Sequence, residues 1–185
     1  MEDSRNRVCP VEAAGGLDNA IRRWLQQPRK ILSPYVREGT TALDFGCGPG
    51  FFTLALAQLV GPSGRVIACD LQQGMLEKLG SKLEGTEFES RIRLHQCGPD
   101  ALGLTEKVDF ILAFYVMHEV PDQARLLAEF AAAAAPGAQV LVVEPPFHVS
   151  TRAFRETLRQ AQASGFGLQP GPRVFLSRTA VLRKD

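Results

Sequence analysis

Apolar positions along the chain fall into two periods. Short apolar runs occur at Thr41–Phe45 (TALDF), which alternates, and at Arg65–Asp70 (RVIACD), 107–117 (KVDFILAFYVM) and 139–143 (QVLVV), which are nearly unbroken, with a further, more polar strand at Ile92–Gln96. Runs of this length read as parallel strands buried on both faces. Between them, apolar residues recur at three and four over 51–60, over a more polar stretch to about Glu84, over 123–135 and over 150–164, which predicts helices. Gly61, Pro62 and Gly64 end the first helix and Pro136 with Gly137 the third, while Asp122 and Ser150 or Thr151 are natural N-caps. Segment 166–183 alternates around Pro170, Gly171 and Pro172 and predicts an antiparallel pair, strands six and seven, joined tightly at Ser177 and Arg178. Ahead of the first strand, Ile21, Trp24, Leu25, Ile31, Leu32 and Tyr35 recur at helical spacing, with Asp18 as N-cap and Pro28 beginning a second helix.

This alternation predicts an α/β domain, doubly wound, with a seven-stranded sheet and helices on both faces. One domain accounts for the whole length: 1–16 flexible, 17–37 a helical lid and 38–185 the core. The basic residues Arg22, Arg23, Arg29 and Lys30 read as a solvated helix face, with a substrate-facing cluster as the alternative.

Composition narrows the partners. A net charge of +1, with 45% apolar and 22% charged residues, gives no global drive toward nucleic acid or an acidic membrane, so partners must be argued locally; the lack of a long insertion between strands five and six leads to the expectation of a small-molecule acceptor. No run reaches the roughly 18 apolar residues of a membrane span, and the charged start MEDSRNRVCP lacks the apolar stretch of a secretory signal, so a cytoplasmic location is expected. Cys9, Cys47, Cys69 and Cys97 form no Cys-x-x-Cys pair, which argues against a zinc or thioredoxin-like site, and no metal is expected. Three of them, Cys47, Cys69 and Cys97, fall at strand carboxyl ends, where a thiophilic substrate such as a trivalent metalloid is an alternative to plain packing. Oligomeric state is not legible.

The chemistry gathers at TALDFGCGPGFF, residues 41–52. A strand stops at Gly46, Gly48 and Gly50, and a helix follows; the glycines let the backbone turn tightly or approach a ligand, and the helix behind them offers unpaired amides and a positive dipole end to an anionic or polar small molecule. The dinucleotide fingerprint would need a third glycine at position 51, which is Phe51. With Asp44 just ahead, the loop suits a nucleoside with an amino-acid tail better than a pyrophosphate. Asp70, about twenty residues past the loop at the end of the second strand, is placed to accept hydrogen bonds from ribose hydroxyls. His118 follows the fourth strand and His148 the fifth, both base candidates.

At these residues the sequence resembles the class I methyltransferases that use S-adenosylmethionine. Leu43, Asp44, Gly46, Cys47, Gly48 and Gly50 fill their first motif, hydrophobic-Asp-x-Gly-Cys-Gly-x-Gly, without a gap. The stretch DLQQGML (70–76) resembles the second motif of the small-molecule methyltransferases related to ubiquinone and menaquinone biosynthesis. AAAAPGAQVLVVEPP resembles their Lys-Pro-Gly-Gly strand segment, with Ala134, Ala135 and Ala138 in place of common residues. The resemblance implies strand order 3-2-1-4-5-7-6 with strand 7 antiparallel, and S-adenosylmethionine as cofactor. It also implies that Leu71 and Met75 pack on adenine and that Asp100, followed by Ala101, hydrogen-bonds its amino group, although Gly98 and Pro99 diverge from the motif. The fourth strand would open into the acceptor pocket, with Glu144, Pro145, Phe147 and His148 at its rim and Phe51, Phe114 and Tyr115 able to face the sulfonium. The activity implied is in-line methyl transfer to a small molecule, with His118 or His148 as base where the acceptor must lose a proton. A non-catalytic domain of the same fold that binds the cofactor, and a nicotinamide-dependent oxidoreductase, are the alternatives.

Overall fold

A computed structural model describes residues 27–99 and 101–185. The 1–16 segment with Cys9, the part of the expected lid that carries Asp18, Ile21, Arg22, Arg23, Trp24 and Leu25, and Asp100 lie outside the described residues. The described elements run, in chain order, α1 (Pro28–Leu32), β1 (Thr41–Phe45), α2 (Thr53–Val60), β2 (Arg65–Asp70), α3 (Gln73–Leu83), β3 (Ile92–Gln96) and β4 (Val108–Phe114). A single 3-10 turn (Met117–Glu119) leads to α4 (Gln123–Ala133), β5 (Ala134–Glu144), α5 (Thr151–Ala163), β6 (Phe166–Pro170) and β7 (Arg178–Lys184).

The seven strands form one sheet in the order β3-β2-β1-β4-β5-β7-β6. All neighbours from β3 to β5 are parallel, and β7 runs antiparallel to both β5 and β6. The expected order and the inserted final strand are therefore present. Each central strand splits its side chains between two cores, as the period of two requires. Ala42, Val66, Phe110, Leu112 and Leu141 join α1, α2 and α3 on one face, whereas Leu43, Ile67, Ile111, Ala113 and Val142 join α4 and α5 on the other. The caps are as read: Asp122 accepts the Arg125 amide at 2.9 Å and Ser150 the Ala153 amide at 3.1 Å.

Three boundaries differ from the sequence reading. The fourth strand ends at Phe114 rather than 117, because Tyr115 turns to φ 59° and the chain leaves the sheet. The fifth strand starts at Ala134, not 139: Pro136 and Gly137 do not stop it but sit where the β4–β5 register shifts, with Gly137 at φ 78°. The link between β6 and β7 is segment 171–177, not a tight turn at Ser177 and Arg178. Thr179 donates to the Pro172 carbonyl at 2.7 Å, and Gly171 packs so closely on Thr179 that a Cβ would come within 2.6 Å of its side chain. No helix among the described residues is long and apolar enough to cross a membrane.

Candidate functional site

Four adjacent strands end in the same place, and three of them end in or beside an acid: Asp44 and Phe45 on β1, Asp70 on β2, Phe114 on β4 and Glu144 on β5. This carboxyl edge, at the point where strand order reverses, is where open α/β sheets hold ligands.

The glycine loop sits on it. The Gly46 and Cys47 amides both donate to the Cys69 carbonyl, at 2.8 and 3.0 Å, and the Gly50 amide donates to the Cys47 carbonyl at 3.1 Å. The Gly48 amide donates to Asp70 Oδ2 at 2.9 Å, and the Gln72 amide to Asp70 Oδ1 at 2.9 Å. These four loop amides are thus spent inside the protein. All three glycines have positive φ. Gly46 and Gly50 are hemmed in, a Cβ falling 2.5 Å from Val116 Cγ2 and 2.4 Å from Leu79 Cδ1, whereas a Cβ on Gly48 meets nothing within 4 Å. Gly48 therefore faces open space, a ledge that backbone alone can line.

Asp44 lies beneath the loop, where Thr53 donates its hydroxyl to Oδ2 at 2.6 Å. Complete burial pushes its carboxyl up to about 7, against the Thr53 hydrogen bond and with a small push from Asp70. Burial also raises Asp70, offset by its bonds from Gln72 and Gly48. A carboxyl raised in the fold keeps a proton that the unfolded chain has released, so stability falls as pH rises from about 4 to about 7. Relative to Asp44→Asn, the wild-type chain without ligand is expected to lose about 1 kcal/mol per pH unit across that window. Urea midpoints of both proteins at several pH values check this, and parallel curves would remove it.

On the other side of the loop, the turn after β4 brings His118 Nδ1 within 2.6 Å of Glu144 Oε2, while Glu144 Oε1 accepts the Met117 amide at 3.0 Å. Burial lowers the proton affinity of His118, but the hydrogen bond and charge of Glu144, with Glu119 nearby, outweigh it and raise the imidazole above its ordinary value. His148 is exposed, its ring centroid 5.7 Å from that of His118. Tyr115 bonds Ser177 Oγ at 2.7 Å, and Ser177 gives its own proton to the Phe175 carbonyl, so Tyr115 is the donor that ties the β6–β7 link to the end of β4.

Other expected residues sit differently. Met75 is 2% exposed and belongs to the core, so it presents no surface to an adenine. Phe114 is likewise buried, packed between Phe52 at 4.2 Å and Tyr115 at 4.5 Å between ring centroids. Leu71 is exposed beside Asp70, and Ala101 closes a turn by accepting the Gly98 amide at 2.9 Å. Cys47, Cys69 and Cys97 are all free and buried. Among the described residues, no three His, Cys, Asp or Glu side chains are placed to hold one metal ion. A cavity of about 700 Å³ opens at the opposite, amino edge of the sheet, between 33–40, Asp109 and 136–139, and none of the carboxyl-edge residues lines it.

The sequence reading missed the work of Thr53, which supports Asp44, and of Glu144, which it placed only at the rim. An acid closing the buried run QVLVVE was the available signal for Glu144, the same one that identified Asp70.

Known proteins share this layout. Superposition on an S-adenosylmethionine-dependent methyltransferase from Aquifex aeolicus gives a TM-score of 0.82 over 95% of this chain and 98% of that one, at 24% identity. A TehB-like methyltransferase from Corynebacterium glutamicum gives 0.71 at 17% identity, over 94% of this chain and 93% of that one. In sequence, the chain is 36% identical over 110 residues to a demethylmenaquinone methyltransferase of Lactobacillus johnsonii, covering 59% of this chain and 45% of the relative. It is 32% identical over 121 residues to one from Anoxybacillus flavithermus, covering 65% and 50%. The chain spans about half the length of the curated relatives it matches. The methyltransferase domain model matches residues 42–137, from the first strand through the glycine loop, Asp70 and the His118 turn, so more than half of this chain carries the family's pattern and the chain belongs to the methyltransferase domain family.

Proposed function

We propose that the protein is an S-adenosylmethionine-dependent methyltransferase acting on a small molecule. The observation that carries this reading is the glycine loop: amides turned inward, an open ledge at Gly48, and Asp70 at its side. A pyrophosphate needs free amides at such a loop, which speaks against a nicotinamide dinucleotide. A ligand whose near end is an amino acid does not need them.

In this reading the backbone of Gly46, Cys47, Gly48 and Gly50, over Asp44, supports the amino-acid end. Asp70 accepts the ribose hydroxyls, and Leu71, Asp100 and Ala101 border the adenine. When bound, the cofactor supplies a methyl group on a sulfonium, activated for in-line displacement, so the protein's main task is positioning. His118 is the group we assign to take a proton from the acceptor. His148 stands beside it at the exposed rim.

The relatives named demethylmenaquinone methyltransferases support a small organic acceptor. So does the rim: Phe147 is 82% exposed and Phe175 and Leu176 are more than half exposed, at the same edge of the sheet as Glu144. Single apolar side chains at a surface are common, but three at one edge of the sheet fit the apolar body of a small acceptor better than a nucleic acid.

Calorimetry tests the reading. S-adenosylmethionine and its demethylated product are expected to bind and NAD not to. Asp70→Ala is expected to raise the dissociation constant about 30-fold, or about 2 kcal/mol, from lost charge-assisted hydrogen bonds. Tighter binding of NAD than of S-adenosylmethionine, or an Asp70→Ala protein with wild-type affinity, would overturn the cofactor or the ribose assignment respectively.

A further inference from the structure

We infer that Glu144 is a positioning residue that fixes the tautomer of His118, leaving Nε2 as the ring atom that takes a proton in the site. The inference rests on the methyltransferase reading for its purpose, but not for its geometry.

Glu144 is 1% exposed, and both of its oxygens are engaged: Oε1 accepts the Met117 amide at 3.0 Å and Oε2 meets His118 Nδ1 at 2.6 Å. A backbone N–H can only donate, so it fixes which oxygen faces which partner. A carboxylate has no hydrogen to give, so in the neutral ring the hydrogen of the 2.6 Å contact resides on Nδ1. Nε2 then holds the lone pair, and among the described residues it makes no hydrogen bond. The His118 side chain is 23% exposed and that of Glu144 2%, so the carboxylate backs the ring and the ring is the partner that reaches solvent. Val116, at the start of the same turn, packs against Gly46 of the glycine loop, which sets the histidine beside the ligand ledge.

The proton step balances. The acceptor's X–H bond breaks heterolytically, its electron pair stays on X, and the proton joins Nε2. The ring becomes an imidazolium whose charge faces the Glu144 carboxylate, with Glu119 and the His148 ring as the other titratable groups nearby. Burying a carboxylate is costly without a partner, and the pair supplies one whenever His118 is protonated.

Glu144→Gln gives a sharp test, because the Met117 amide still demands the oxygen of the new side chain. The amide nitrogen of the glutamine must then face Nδ1, which becomes the acceptor, and the hydrogen moves to Nε2. Long-range ¹⁵N–¹H spectra of the full chain read this directly, with the three histidines assigned by single His→Gln variants. In the wild type, His118 is expected as the Nδ1–H tautomer when neutral. In Glu144→Gln it is expected as the Nε2–H tautomer and to titrate at lower pH, while His95 and His148 keep their wild-type tautomers. Glu144→Asp, a shorter carboxylate, is expected to retain Nδ1–H. A wild-type spectrum showing Nε2–H, or a folded Glu144→Gln protein that keeps Nδ1–H, overturns the inference. Should the glutamine variant fail to fold, the wild-type spectrum decides alone. Cofactor calorimetry on the same samples separates this outcome from the methyltransferase reading, since the tautomer does not depend on the cofactor.

Discussion

Gly46→Ala is expected to lower folding stability by about 3 kcal/mol or more, the largest effect of any single methyl added to the glycine loop. Two costs add. Gly46 sits at φ 71°, where an L side chain costs roughly 1–2 kcal/mol. Its Cβ would also lie 2.5 Å from Val116 Cγ2 and 2.8 Å from Val116 Cβ. Valine is stiff at χ1, and overpacking of this kind costs about 1–3 kcal/mol more. The other two glycines calibrate the argument. At Gly50 the collision is 2.4 Å from Leu79 Cδ1, the far end of a side chain that can swing aside, and at Gly48 there is no collision at all. The expected order of damage is therefore Gly46, then Gly50, then Gly48, read from urea midpoints of the three alanine variants. A Gly46→Ala protein within about 1 kcal/mol of wild type would show that the Val116 turn is free to move off the loop.

The same contact explains how much of the molecule was legible in advance. The layered α/β architecture followed from short apolar runs separated by helical ones, whereas the strand order came from the resemblance to the methyltransferases and not from the pattern. Asp44, the three glycines and Asp70 were legible because one βα unit fixes their spacing. What the sequence did not disclose were long-range pairings. Nothing local says that Thr53 will support Asp44, that Asp70 will bind the Gly48 amide 22 positions away, or that Glu144 will reach back to Met117 and His118. Boundaries failed where backbone overrode pattern. The apolar run at 107–117 continues past the strand, but Tyr115 takes a left-handed conformation, and Pro136 lies within β5 at the register shift, where a missing N–H is tolerated. Met75 shows the limit of motif transfer: as the third residue of α3 it lies on the face that the helix turns into the core.

His118→Ala is expected to lower turnover about 100-fold or more while the dissociation constant for S-adenosylmethionine stays within about twofold, because general-base catalysis contributes roughly that much and the glycine loop does not use this side chain. The wild-type rate should rise with pH through the titration of His118, displaced above the ordinary histidine range by Glu144, and the variant should lack that limb. A structural role alone would give a different signature. The His118–Glu144 pair stabilises the fold fully below the unfolded histidine value of about 6.5, and that contribution is lost as pH rises through the higher folded value. His118→Ala should thus be most destabilised on the acid side and approach wild type as pH increases. His118→Gln separates the two roles, since its amide can donate to Glu144 yet cannot take a proton. Recovered stability with turnover still depressed assigns the histidine to proton transfer. Recovered turnover would instead reduce it to a brace for Glu144, and the methyl acceptor would then be a group that needs no base, such as a thiolate or a neutral amine.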